Sequence, residues 1–340
     1  MASSPKRRTP RTIAIAGGKG GVGKTTIAAN LAHAFARSGK RVVAIDVDLG
    51  AANLHTALGV VRPERTLAEY IDHSVEELHD CFTQVSPLIS LVAGTSRPGS
   101  ANLGAAQKLR LLRAISRLDA DVVIVDVGAG TSYTVVDLMA AADHKMLVMC
   151  PQLTSLHNAY ALLKACVHRV IRKHATDETH QQMIDSALAH ESKTRSVQQL
   201  LGVIRPMDAE LANSIVDTLT RFGAMLVGNQ LSTLAEADAL RRMTPLIHDQ
   251  LLVHAPLQAG IRRSGSLAGS LTAGVGVIAT RTTDDAAMSF RQLADSILAI
   301  DLAHLRGEAR TAQPKTMPLW IQRGLEADAA REAPVESKAS

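Results

Sequence analysis

The residues most able to do chemistry lie near the start of the 340-residue chain, in the run Gly18-Lys19-Gly20-Gly21-Val22-Gly23-Lys24-Thr25-Thr26. Its spacing satisfies GxxxxGKT through Gly18, Gly23, Lys24 and Thr25. Glycines in such a run let successive backbone N–H groups curl round phosphate oxygens, where side chains would clash. A helix beginning near Lys24 adds its N-terminal partial positive charge. Lys24 is expected to reach β- and γ-phosphates, and the Thr25 hydroxyl to ligate Mg²⁺. Three carboxylates recur at the ends of apolar runs: Asp46 and Asp48 after Arg41 to Ile45, and Asp126 after Asp121 to Val125.

The elements that must position these groups read as alternating strands and helices. Strands are expected at Thr12 to Ala16, Arg41 to Ile45, Leu88 to Val92, Asp121 to Val125, Lys145 to Cys150, Ala224 to Val227 and Gln250 to Val253. Helical spacing of apolar residues marks Thr25 to Ser38, Lys108 to Leu118 and Ser155 to Lys173. Continuously apolar strands alternating with helices imply an α/β fold: a mostly parallel twisted sheet with helices on both faces. Ligands of such sheets bind beyond the C-terminal strand edges, where the glycine loop and the three aspartates converge. Pro256 and Leu257 follow the strand expected at Gln250 to Val253 and would flank a bound base.

One stretch breaks the alternation. From about 174 to 222 only helical patterns occur, at Glu178 to His190, Ser192 to Ile204 and Asp208 to Phe222. This reads as a helical insertion in a domain spanning 12–306. Residues 1–11, with Lys6, Arg7, Arg8 and Arg11, read as a disordered basic tail, and 307–340 as a disordered polar one.

Composition narrows the classes. The chain is 46% hydrophobic but only 2% aromatic, which argues against the stacking platforms of single-strand nucleic-acid binders. Its three cysteines, Cys81, Cys150 and Cys166, lack the paired spacing of zinc or iron–sulfur sites, and a reducing cytoplasm is the natural setting. No apolar run approaches the ~20 residues of a membrane span.

The loop from Lys19 to Thr26 resembles the signature of the MinD/ParA superfamily of deviant Walker A P-loop ATPases, of the SIMIBI type. The resemblance implies that Lys19 reaches across a dimer interface to the partner's nucleotide, coupling ATP binding to homodimerisation. Asp46-Val47-Asp48-Leu49-Gly50 is similar to switch I of the family, where Asp48 positions the attacking water. Asp126 to Gly130 resembles the Walker B and switch II segment, with Asp126 holding Mg²⁺ through water. Asn229 resembles the family asparagine that reads the adenine edge, and no NKxD guanine motif occurs. ATP and Mg²⁺ are the implied cofactors, with Gly18 to Thr26, Asn229, Pro256 and Leu257 binding nucleotide, Lys19, Lys24 and Asp48 catalytic, and Thr25, Asp46 and Asp126 the candidate metal ligands.

Gly50 to His55 and Cys150 to Leu156 look closest to the FlhG/FleN-like branch. That implies an ATP-driven dimerisation switch regulating the position or number of a flagellar, division or polar structure. Hydrolysis would be slow without a stimulating protein partner. Alternatives are a ParA-like DNA-segregation ATPase, with Arg241-Arg242 and Arg262-Arg263 as candidate DNA contacts, and an ATP-binding adaptor without important turnover. Peripheral attachment at the inner face of the membrane has one candidate anchor, Met317 to Arg323. A metal-cluster scaffold would need paired cysteines, and a tyrosine kinase a tyrosine-rich tail; none of the three tyrosines follows Tyr160.

Overall fold

The computed structural model describes residues 9–95, 103–194, 196–277 and 283–301. Both tails beyond these bounds, including Lys6 to Arg8 and Met317 to Arg323, lie outside the described residues.

Eight strands form one sheet in the order β3-β4-β2-β5-β1-β6-β7-β8. They are β1 (Arg11–Gly17), β2 (Val42–Val47), β3 (Phe82–Ser86), β4 (Ile89–Val92), β5 (Val122–Ala129), β6 (His144–Met149), β7 (Met225–Leu231) and β8 (Leu257–Arg262). Every pairing is parallel except β3 with β4. Central strands are buried on both faces because side chains alternate between two cores. In β1, Ile13 and Ile15 point to one core and Ala14 and Ala16 to the other.

One face of the sheet is covered by α1 (Lys24–Arg37), α2 (Leu54–Ala57), α12 (Gly265–Thr272) and α13 (Asp285–Leu298). Ile27, Leu31 and Phe35 of α1 pack there with Phe290, Leu293 and Ile297 of α13. The other face carries α3 (Leu67–Ile71), α4 (Ala105–Ser116), α5 (Tyr133–Ala141), α6 (Leu153–Arg172), α7 (Glu178–Thr194), α8 (Val197–Ile204), α9 (Ala209–Phe222), α10 (Leu234–Arg241) and α11 (Met243–Leu251). Helices α7 to α9 occupy the stretch without strands. Ile184, Leu200, Ile204, Ile215 and Leu219 bury themselves in the same core as Leu162 and Val167 of α6. An ion-pair network fastens three of these helices. Asp137 of α5 accepts from Lys108 of α4 at 2.5 Å and from Arg169 Nε of α6 at 2.7 Å. Burial works against the Asp137 charge, but the two cations outweigh it and hold the carboxyl below its usual range.

Two expectations are corrected: Arg11, expected in the basic tail, is buried and begins β1, and the last strand lies elsewhere in the chain. Gln250 to Val253 is not a strand: Gln250 and Leu251 end α11, and Leu252 turns out of it with φ +57°. Ile247 and Leu251 are buried four residues apart, a helical interval that a short apolar run does not distinguish from a strand. The last strand is β8, whose sequence Leu-Gln-Ala-Gly-Ile-Arg is broken by polar residues because it is an edge strand paired on one side only. Strand β3 escapes an apolar search for the same reason: it is a short, half-exposed edge strand.

Among the described residues, no helix is long and apolar enough to cross a membrane.

Candidate functional site

The glycine loop leaves β1 at Gly17 and enters α1 at Lys24. Gly21 and Gly23 adopt φ of +79° and +93°, which L side chains rarely take. Close contacts hold the loop in place. A Cβ on Gly18 would fall 2.0 Å from the carbonyl carbon of Asn158 in α6. One on Gly23 would fall 2.1 Å from Asn229 Nδ2. No side chain caps α1, so its first-turn N–H groups keep their capacity for an oxyanion. Lys24 is buried at 7% exposure, whereas Lys19 stands exposed on the outer loop.

The carboxylates lie on the β2/β5 side of this loop. Parallel pairing sets Asp46 of β2 in register with Asp126 of β5. Asp46 accepts backbone N–H groups of Asp48, Asn53 and Leu54, each at 3.0 Å. Its oxygens therefore shape the turn that carries Asp48. Asp126 is 1% exposed, and neither of its oxygens has a hydrogen-bond partner. Burial and then the Asp46 charge push the Asp126 carboxyl well above the carboxylate range. Burial raises Asp46 also, against the pull of its three amides.

A buried carboxylate with two orphaned oxygens, next to Thr25, is a site that a divalent cation would neutralise. Among the described residues no group of three or more His, Cys, Asp or Glu could hold a metal by itself. The donor set thus fits Mg²⁺, which keeps waters and takes phosphate oxygens to complete its shell.

On the other side of the loop, a 680 Å³ cavity runs from Gly20, Lys24 and Thr25 toward the ends of β7 and β8. Asp48 and Asn53 line it, as do Asn229, Gln230, Arg262 and Arg263. Asn229 donates from Nδ2 to the Val22 carbonyl at 2.8 Å, while its Oδ1 is buried with no partner. Gln230, with φ +59°, turns its amide toward the Gly21 carbonyl at 3.4 Å.

Pro256 and Leu257 do not join this assembly. The Pro256 carbonyl accepts from Leu226 N at 2.9 Å, and Leu257 pairs with Leu226 near the start of β7. Both therefore sit at the N-terminal sheet edge, opposite the loop. Misplacing the last strand caused this error. The residues that flank the site from β8 are those at its other end, Arg262, Arg263 and Ser264. Arg262 pairs with Asp285 at 3.2 Å, and Arg241 pairs with Asp238 at 2.7 Å. Gln230, Ser264 and Leu267 also escaped the sequence reading: Gln230 follows Asn229 on β7, and only the true end of β8 points to the other two.

A glycine loop between β1 and α1, with acids on neighbouring strand ends, defines a P-loop nucleotide-binding fold. Residues 13–288 match the CobQ/CobB/MinD/ParA nucleotide binding domain, and the chain belongs to that family. It is 41% identical over 157 residues to the antiactivator FleN of Pseudomonas aeruginosa, covering 45% of this chain and 55% of FleN. It is 30% identical over 166 residues to the flagellum site-determining protein YlxH of Helicobacter pylori, covering 45% of this chain and 52% of YlxH. The chain thus spans about half the length of these curated relatives. Among solved structures, the septum site-determining protein MinD of Pyrococcus horikoshii, complexed with Mg-ADP, superposes with a TM-score of 0.57. That match has 20% identity and covers 88% of this chain and 99% of the other. A ParA family ATPase from Chlorobium tepidum superposes with a TM-score of 0.59 at 18% identity, covering 84% and 98%. These structural likenesses concern the fold.

Proposed function

We propose that this chain is a Mg²⁺-dependent ATPase that dimerises on binding ATP and acts as a switch on the placement or number of a cellular structure. The observation that carries the proposal is Asp126, buried with both oxygens unpartnered beside a loop bearing Thr25 and Lys24. Bound Mg²⁺ supplies charge neutralisation for Asp126 and for the phosphates. Lys24 counters phosphate charge from within the chain. Lys19, exposed on the loop, does so from a second copy. Asp48 lines the cavity and orients the attacking water. Gly128 leaves room for it: a Cβ there would lie 3.3 Å from Asp48 Oδ1. The unpartnered Oδ1 of Asn229 accepts from an amino group, as adenine offers on its Watson–Crick edge and guanine does not at the equivalent carbon.

Similarity to YlxH, a flagellum site-determining protein, favours a flagellar output, and the proposal includes a protein partner that stimulates turnover. Cytoplasmic residence with reversible attachment to the inner membrane face fits such a switch, and no feature of the site requires DNA.

The test is ATP turnover and sedimentation of wild type, Lys19→Ala and Asp48→Ala, with and without liposomes and DNA. Asp48→Ala with ATP should accumulate as a dimer without turnover, and Lys19→Ala should stay monomeric. A monomeric Asp48→Ala protein at saturating ATP sinks the switch. Dimers of Lys19→Ala remove Lys19 from it.

A further inference from the structure

The site extends along the row of C-terminal strand ends, and its two halves differ in chemistry. Phosphate-seeking groups cluster at β1: the loop amides, Lys24 and, toward β2 and β5, the acids that fit the metal. Beyond Asn229 the wall changes. It consists of Gln230, the paired residues Arg262 and Arg263, and the apolar side chains Leu267 and Ala268 of α12. In strand order β8 lies three positions from β1, which is about 14 Å at the usual strand spacing. A nucleotide seated with its phosphates on the loop therefore extends its base toward β8.

The two arginines at that end are not equivalent. Arg262 Nη1 is tied to Asp285 of α13 at 3.2 Å. Arg263 is fixed at its backbone, where its N–H donates to the Leu231 carbonyl at 2.9 Å. Its guanidinium has no hydrogen-bond or ion-pair partner among the described residues, and it is exposed along the cavity wall. A planar, weakly hydrated guanidinium in such a place is suited to lie over an aromatic ring.

We infer that Arg263 is a nucleotide-contacting residue that covers the face of the base at the β8 end of the cavity. The inference rests on the reading of the cavity as a nucleotide site. It makes binding strength depend on the base as well as on the phosphates, through a cation that sequence inspection assigns to the protein's outer surface. Among the described residues the Arg263 guanidinium makes no hydrogen bond or ion pair to another element, so its removal acts chiefly on the cavity wall.

The experiment is calorimetric titration of the full chain with Mg²⁺ and either ATP, ADP or inorganic tripolyphosphate. It compares wild type, Arg263→Ala, Arg263→Lys and Lys24→Ala. Arg263→Ala should weaken ATP and ADP by about fivefold to tenfold and leave tripolyphosphate unchanged. Arg263→Lys should recover little, because an ammonium lacks the planar face. Unchanged ATP affinity in Arg263→Ala overturns the inference. So does a parallel loss of tripolyphosphate affinity, which would make Arg263 a phosphate contact. Lys24→Ala should weaken all three ligands. Wild type that binds none of them overturns the nucleotide-site reading itself, and Arg263 with it.

Discussion

Asp46 and Asp126 stand in register on neighbouring parallel strands, yet Asp46 receives three backbone hydrogen bonds and Asp126 receives none. The two substitutions should therefore have opposite effects on the fold. Asp46→Ala takes the acceptor from three N–H groups, of which the buried one of Leu54 alone is worth about 1–3 kcal/mol, and should lower the melting temperature. Asp126→Asn removes a group that is costly to ionise in place. It should leave ligand-free stability equal or raised while abolishing Mg²⁺-dependent turnover. Thermal melts with and without Mg²⁺-nucleotide check both, and a clear ligand-free loss in Asp126→Asn would show that its carboxylate is structural.

Gly23 should not tolerate a side chain. Alanine there meets both a φ of +93° and the Asn229 amide at 2.1 Å. Gly23→Ala should lose nucleotide binding by more than tenfold and cost about 1–3 kcal/mol of stability. Gly20 faces open space, with nothing within 4 Å of a Cβ, so Gly20→Ala should fold with wild-type stability. Side-by-side melts and nucleotide titrations of the two variants provide the comparison.

Lys145 of β6 is buried, donates to the Ala142 carbonyl at 3.0 Å and lies 4.6 Å from the centre of the Phe222 ring. Burial lowers its pKa to about 8, although Asp143 pulls the other way. An unfolded lysine titrates near ~10.4, so between about pH 8 and ~10.4 the unfolded chain binds more protons than the folded one. Stability contributed by this residue should then rise with pH across that window, and its cost should be full and flat below about 8. Lys145→Met should remove the rise and stabilise the protein at pH 7, by about 3 kcal/mol at most. Urea unfolding at a series of pH values gives the readout.

Arg11 closes the end of the last described helix. Its guanidinium donates to Ile297 O at 2.5 Å and Ile300 O at 2.7 Å, and contacts His144 Nε2 at 2.9 Å. Arg11→Ala should loosen α13 before the rest of the sheet. The cost should be about 2–3 kcal/mol, with faster amide exchange over 293–298 than in β1. Equal exchange in wild type and variant would show that apolar packing of α13 suffices alone.

Much of this architecture was legible because its signals are local. The run Val122 to Val125 is apolar throughout since both faces of β5 are covered, and GxxxxGKT fixes its own place between strand and helix. The site fails to read out where one misplaced element moves its neighbours. Leu251 to Val253 is a short apolar run that fits helix or strand, and β8 carries Gln258 and Arg262 because it is an edge. Moving the last strand exchanged Pro256 and Leu257 for Arg262 and Arg263. Asp46 and Asp126 were equal candidates in sequence, since hydrogen bonding from the 48–54 turn is a tertiary matter.

The approach of Gly18 to Asn158 has a mechanical consequence. Gly18 packs so closely on the backbone of α6 at Asn158 that a Cβ would have no room, so a movement of the phosphate loop toward that helix must push α6 with it. That helix has 20 residues, about 30 Å of stiff rod, and its far end is tied to α7 by Arg172 and Asp185 at 3.1 Å. The arrangement is a beam with the nucleotide at one end and α7 to α9 at the other. Strain entering at the loop should emerge as altered amide exchange over residues 178–222, so the helices with no part in the chemistry are those best placed to announce its progress.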